Sequence, residues 1–375
     1  MSSTADIIAT QVCIQARTPV FLWGGPGTGK TATLEQLAEA LNEPLWTVIL
    51  SIREPSDQGG LPQITENGVK LHPPRWAYEL KKTKHGIVFW DEFNTAPPTT
   101  QSSALRVVHG GWAGDEKLPA ATSHVAAGNP PEVSTGGYDL TSAIANRWVH
   151  INWPVDPNQW AEGMVAGFPA PPIARLRANW KEGIAAKQGV VASFIRRRGE
   201  HLYALPESAT EQGRAWRSPR TWTMSAHLLA AAESAGHGPK SEAARVLVAG
   251  CVGEVGQNEF SKWYVNLDLR DPEEYLRNPL NTPLPKRQDQ TMATLDSVAG
   301  AALDRGKKKA QRIERYYAAW KVLGRILKSQ GDIAIPAART LAVNMPPEVD
   351  RALPPEVEDI LPLLEKANID FSTAV

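Results

Sequence analysis

Gly24-Gly-Pro-Gly-Thr-Gly-Lys-Thr31 is the stretch on which the fold turns. The apolar run Pro19-Val-Phe-Leu-Trp23 before it is of buried-strand type, and Leu34, Leu37, Ala38 and Leu41 after it recur at helical spacing. The order is therefore strand, glycine-rich loop, helix, which is the context a phosphate-binding loop requires. Glycines let backbone N–H groups curl around phosphate oxygens without Cβ obstruction, and the helix presents its positive N-terminal end to them. In such a loop Gly25, Pro26, Gly27, Thr28 and Gly29 form the cradle, Lys30 reaches the β- and γ-phosphates, and Thr31 supplies a hydroxyl that helps to hold Mg²⁺. The loop contributes no base, so it does not separate a kinase, a switch and an ATPase.

The next strands carry the acids. Leu45 to Ile52 reads as a second strand, and Gly86-Ile-Val-Phe-Trp-Asp-Glu92 places two carboxylates after four apolar residues. This is a Walker B pattern. An acid at the carboxyl end of a buried parallel strand lies in the crevice where α/β sheets bind ligands, so Asp91 can orient Mg²⁺. Glu92, one residue further, can polarise an attacking water, which suits hydrolysis. A further strand, Ser123-His-Val-Ala-Ala127, ends at Gly128-Asn129-Pro130 and sets the Asn129 amide at the same level, where it could hold the lytic water. Leu140 to Trp148 reads as a short helix running into a last strand, Val149-His-Ile-Asn-Trp153. Arg147 stands at that junction, where it is either a solvated helix-end charge or, in a ring, a guanidinium that meets the γ-phosphate bound by the next subunit.

These motifs, in this order, carry a resemblance: Pro19 to Trp153 resembles an AAA+ module, specifically its MoxR-like branch. Gly25 to Thr31, Phe89 to Pro97, Ala127 to Pro130 and Ala145 to Trp148 match Walker A, Walker B, sensor 1 and the arginine finger. Ser218-Pro-Arg220 resembles the family's sensor 2, which implies that Arg220 touches the nucleotide from a lid. Asp57 to Trp76 resembles the branch's helix-2 insert. Trp90 and Trp148 are bulkier or rarer than the family's usual residues, but no chemical group is lost. The resemblance implies an ATP- and Mg²⁺-dependent ATPase that forms a homo-oligomeric ring, usually of six subunits, and acts as a chaperone-like motor on a protein client. A von Willebrand factor A domain protein is a common partner in that branch.

The expected fold class is α/β: an AAA+ P-loop αβα nucleotide-binding domain with a parallel sheet over 1–157, an all-α lid with sensor 2 over 158–285, and a helical C-terminal extension over 286–375. A chain of 375 residues has room for two or three domains. A helix from a Thr4 cap through Ala16 opens it, and a short helix around Val357 to Lys366 lies near its end. Between Gly306 and Ser329, Ile313, Tyr316, Tyr317, Trp320, Leu323 and Leu327 form an apolar stripe opposite a basic side. That helix reads by default as packed on its own lid with solvated charges, with docking to a neighbour or acidic partner as the alternative.

Charge bears on partners. Lys+Arg and Asp+Glu are equal at 40 each, so no bulk basic field draws the chain to nucleic acid or anionic lipid. Arg196-Arg-Arg198 reads as a solvated or acid-paired surface. The N-terminus lacks the basic segment and apolar run of a signal peptide, no span for a membrane is apparent, and Cys13 and Cys251 match no metal spacing, all of which reads as cytoplasmic. Two other readings stay open: a nucleotide-gated assembly switch, and a nucleic-acid-linked motor.

Overall fold

The structure, a computed structural model, describes residues 3–130, 133, 136–327, 330–349 and 353–369. Ser329 and the tail residues 370–375, which the reading above had included, lie outside them. The chain divides into two units, one of Met1–Arg177, Tyr203–Leu228 and Ala232–Asn258, the other of Ala178–Leu202, Leu229–Ala231 and Glu259–Val375.

In the first unit the strands are β1 (Val20–Trp23), β2 (Leu45–Ile49), β3 (Leu61–Thr65), β4 (Gly68–His72), β5 (His85–Asp91), β6 (Trp112–Ala113), β7 (Glu116–Lys117), β8 (Ala121–Gly128) and β9 (Val149–Asn152). Five of them form one parallel sheet in the order β2-β5-β8-β1-β9. Residues of β1, β5 and β8 are buried on both faces, which is why these strands read as continuous apolar runs rather than alternating ones. Register sets the site: Trp23 pairs with Gly128, Trp90 with Ala126 and Ile49 with Asp91, so the loops after β1, β5 and β8 leave from one edge.

Helix α1 (Thr4–Gln15) is capped by Ser3, not Thr4. The Ser3 hydroxyl accepts the Asp6 N–H at 3.2 Å and the Asp6 carboxylate accepts the Ser3 N–H at 3.2 Å, a reciprocal box that Thr4 has no acid placed to complete. The second strand ends at Ile49, before the expected Ile52, and Leu50–Ile52 turns as a 3₁₀ helix that buries Leu50. The insert segment contains an exposed antiparallel hairpin, β3 with β4.

In the second unit the helix Lys309–Leu327 buries Tyr316, Trp320, Leu323 and Leu327, the stripe seen in the sequence, each large side chain contributing about 1.5–3 kcal/mol of burial. Its basic side meets acids. Both terminal guanidinium nitrogens of Arg315 donate to the Glu273 carboxylate at 2.6 Å, Arg312 pairs with Glu348, and Lys307, just before the helix, meets Glu182 at 2.8 Å. Arg196 and Arg198 are likewise paired, with Asp296 and Glu259. These contacts take five cations out of any face that could track a phosphate backbone.

Two buried histidines in the first unit accept indole N–H groups. Trp90 Nε1 donates to His124 Nδ1 at 3.2 Å, and Trp23 Nε1 donates to His150 Nδ1 at 2.8 Å while His150 Nε2 donates to the Ala145 carbonyl at 2.9 Å. Burial pushes His124 down to about 3. His150 is pushed down to about 4, by burial first and by the Arg214 charge in a smaller part, against the Ala145 hydrogen bond. Both folded values lie below the unfolded imidazole value of about 6.5, so the unfolded chain binds more protons between them. The stability these rings contribute is whole above about pH 6.5 and is lost as pH falls through 4 towards 3. Thermal unfolding followed by circular dichroism should therefore show a level Tm from pH 8 to 7 and a falling one below about 6.5. A Tm unchanged down to pH 4.5 would contradict the neutral, buried rings.

Candidate functional site

The turn after β1 is built by two glycines in the left-handed region, Gly27 at φ 73° and Gly29 at φ 81°. A side chain at either would be strained whatever the space around it, so the loop closes tightly only with glycine there. Gly29 is the cap of α2 (Lys30–Leu41), and no side chain satisfies the first N–H groups of that helix. They remain available, with the positive end of the helix dipole, for an anion. Lys30 Nζ donates to the Gly24 carbonyl and, at 2.8 Å, to that of Gly25, while the Thr28 hydroxyl donates to the same Gly25 carbonyl at 2.9 Å. Burial lowers the Lys30 pKa from its ordinary value, and the Asp91 charge partly opposes this.

Pro26 to Ala32, Asp91, Glu92, Gly128 and Asn129 line a cavity of about 430 Å³. Gly25 stands behind it as the acceptor just described. The Thr31 hydroxyl and the Asp91 carboxylate approach to 3.4 Å. Hard oxygen donors side by side at a phosphate loop fit a Mg²⁺ ion, so Thr31 and Asp91 are the residues that would hold it. When bound, such an ion neutralises charge on phosphate oxygens.

Glu92 is itself in the left-handed region, at φ 53° and ψ 38°, which turns the chain out of β5 at once and separates its side chain from that of Asp91. Its N–H donates to Asp91 Oδ1 at 2.9 Å, and its carboxylate accepts the hydroxyl of Ser51. Ser51 lies in the 3₁₀ turn after β2, and no motif marked it; the only available signal was a hydroxyl beyond the end of a strand neighbouring β5. Asn94 is a second missed residue. Its side-chain amide donates to the Asn129 carbonyl at 2.8 Å and accepts the Asn129 N–H at 3.1 Å, clamping the loop after β8. The approach is close: a Cβ on Gly128 would lie 2.5 Å from Asn94 Oδ1.

Beside the phosphate loop lies a second cavity, of about 450 Å³, shared by Gly27, Thr28 and Gly29 and walled by Val155, Trp160 and Phe168 with Gln36. Its surfaces are flat and apolar with one side-chain amide, which suits an aromatic group attached to the phosphates.

Arg147 and Arg220 line neither cavity. They belong to the first unit and lie within electrostatic reach of each other. Burial first, then the Arg220 charge, lowers the Arg147 pKa; burial first, then both arginines, lowers that of His109. Arg147 Nη1 donates to the Ala143 carbonyl, and its buried Nε has no hydrogen-bond partner among the described residues. Among those residues, too, neither arginine is paired with a carboxylate. The nine P-loop and Walker B positions and Asn129 are thus brought to one edge of the sheet, whereas the two arginines lie outside both cavities, within electrostatic reach of each other.

Among the described residues no group of three or more His, Cys, Asp or Glu side chains is placed to hold a metal ion, and no helix there is long and apolar enough to cross a membrane.

Residues 19–147 match the AAA domain of the dynein-related subfamily. No curated protein matches the chain. Solved structures similar to it include a putative ATPase from Cytophaga hutchinsonii ATCC 33406, at 16% identity over 69% of this chain and 82% of that one, with a TM-score of 0.42. A full-length MCM homolog from Methanopyrus kandleri matches at 16% identity over 68% and 53% of the two chains, with a TM-score of 0.34. NtrX from Brucella abortus matches at 13% identity over 92% and 68%, with a TM-score of 0.28. Residues 19–147 thus match an AAA domain, a nucleotide-binding module, and carry the phosphate loop, the Walker B acids and four of the five strands of the parallel sheet, in a chain of AAA+ α/β fold with a helical C-terminal region.

Proposed function

We propose that this chain is a MoxR-like ATPase that forms a ring, hydrolyses ATP at sites shared between subunits, and uses the cycle to remodel or activate a partner protein. The observation that carries this is the division of the catalytic set. The cavity around the phosphate loop contains a lysine, the metal-holding oxygens, a carboxylate base and an amide, but no arginine lines it. Arg147 and Arg220 lie within electrostatic reach of each other elsewhere on the same unit, and among the described residues neither is paired with a carboxylate. Two like charges within reach of each other repel, and a polyphosphate brought by another subunit would offset that repulsion.

In this reading the P-loop amides and Lys30 bind the phosphates, Thr31 and Asp91 hold the ion, and Glu92 takes a proton from a water that Asn129 helps to place. The arginine pair of the next subunit meets the γ-phosphate. Hydrolysis therefore depends on assembly, and loss of the γ-phosphate changes how one subunit holds the next, which is what couples the cycle to a client.

One observation favours the second reading, a nucleotide-gated switch that turns over slowly. The Ser51 hydroxyl donates to one oxygen of the Glu92 carboxylate, the group that must take the proton, and a hydrogen bond donated to a carboxylate stabilises its charged form against proton uptake. A single experiment separates the readings at their common root. ATPase rate per subunit is measured against protein concentration, with the mass of the species present with and without ATP. A rate that climbs as the assembly forms supports shared sites. A rate that stays flat at dilutions where only monomer is detected would remove them.

A further inference from the structure

Arg147 and Arg220 come from segments far apart in the chain, and yet their guanidiniums lie within electrostatic reach of each other and repel. Something must hold the segments together. Asn146 immediately precedes Arg147 and is 4% exposed, an unusual burial for an amide unless it is fully used. It closes the helix Ser142–Ala145. Its Nδ2 donates to the Trp216 carbonyl at 3.3 Å, and its Oδ1 accepts the Ser218 hydroxyl at 2.8 Å. The facing Trp216 carbonyl fixes which way the amide points, since the flipped orientation would set two oxygens against each other.

The other side of the network carries Arg220. The Ser218 hydroxyl accepts the Thr221 N–H at 3.2 Å, the Thr221 hydroxyl accepts the Ser218 N–H at 2.9 Å, and the Thr221 hydroxyl also donates to the Trp216 carbonyl at 3.0 Å. Ser218 and Thr221 are buried, at 4% and 1% exposure, and they bracket Arg220, whose own side chain is exposed. A closed set of buried, mutually satisfied polar groups fixes one geometry, because any partial opening leaves a group unpaired. The helix end bearing Arg147 is held from a second side, through the Ala145 carbonyl, by His150 and so by Trp23, the residue before the phosphate loop.

We propose that Asn146 is a positioning residue, whose amide ties the helix end bearing Arg147 to the Ser218–Thr221 turn bearing Arg220, so that both guanidiniums reach a neighbour's nucleotide as one fixed pair. This rests on the reading of the two arginines as groups that act on the adjoining subunit. Asn146 touches no nucleotide itself. Its effect passes through Arg220, and that dependence is what distinguishes positioning from a general contribution to folding.

The test is a double-mutant cycle on ATP turnover in the assembled protein, with Asn146→Ala, Arg220→Ala and the double variant, together with Tm and KM for ATP. Asn146→Ala is expected to lower kcat about tenfold in the natural background and less than twofold when Arg220 is already alanine, with KM unchanged. Ser218→Ala removes the same tie while leaving a smaller gap, and should repeat the pattern if Asn146→Ala does not fold. Ser218→Thr, which keeps the hydroxyl, should retain most of the rate. An equal loss in both backgrounds, or no loss, overturns the positioning role even if Tm falls. Should Arg147→Ala and Arg220→Ala themselves prove silent, the shared-site reading fails and this inference with it; should they cost rate while Asn146 and Ser218 couple to neither, only this inference fails.

Discussion

Replacing Arg147 by alanine is expected to lower ATP turnover by about 10³-fold or more while leaving nucleotide affinity at the phosphate loop within a few-fold. The asymmetry follows from where the residue lies. It does not line the cavity that Lys30, Thr31 and Asp91 share, so the ground-state contacts to a nucleotide survive its loss. What is lost is a cation that meets charge developing on the transferred group, and an interaction made only then appears in kcat and not in binding. A mixing experiment makes the assignment to a neighbour decisive. Subunits with Arg147→Ala keep Glu92, and subunits with Glu92→Gln keep Arg147, so each is inactive alone. Mixed in equal amounts in a head-to-tail ring, roughly one site in four joins an intact base to an intact arginine, and turnover should return to about that fraction. If Arg147 served its own subunit's nucleotide, mixing would restore nothing.

The parts of this site that could be read in the sequence are those that repeat a local pattern. Lys30 and Thr31 were legible because strand, glycine loop and helix are adjacent in the chain, and Asp91 because an acid ends an apolar run. Asn129 was legible only beside them. Ser51 was not, since Leu45 to Ile52 has the composition of a strand throughout; the chain leaves the sheet after Ile49, where Leu50 turns inward to be buried, and that turn brings the hydroxyl to Glu92. Asn94 was equally hidden, because its two bonds to Asn129 cross between loops that no periodicity links. The position of Arg220 shows the limit most clearly. Its motif suggested contact with a nucleotide, but the segment bearing it is joined to the one bearing Arg147 by a hydrogen-bond network among Asn146, Trp216, Ser218 and Thr221 that no local pattern announces. By contrast, the pairing of Arg196 with an acid was open to a charge argument, whereas the basic side of the helix Lys309–Leu327, expected to be solvated, is paired with acids such as Glu273 that lie far off in the sequence.

Glu92→Gln is the other substitution with a large expected effect, a fall in kcat of about 10²- to 10⁴-fold with ATP still bound. Glutamine preserves the length of the side chain, and its carbonyl oxygen can still accept the Ser51 hydroxyl, so the left-handed turn after Asp91 has no cause to rearrange. Only the capacity to take a proton disappears. Lys30, Thr31 and Asp91 are untouched, so the variant should retain nucleotide and remain in its ATP-bound assembly, visible as a higher-mass species that persists where the unaltered protein has returned to smaller ones. This protein also divides the two readings of function. If work on a client needs repeated cycles, the variant assembles and is inactive in cells. If assembly itself is the signal, the variant is active, and the rate held back by Ser51 is the property under selection. Ser51→Ala completes the argument within the same assay, since a carboxylate freed from that hydroxyl should raise basal turnover by a few-fold in the unaltered background and by nothing once Glu92 is glutamine.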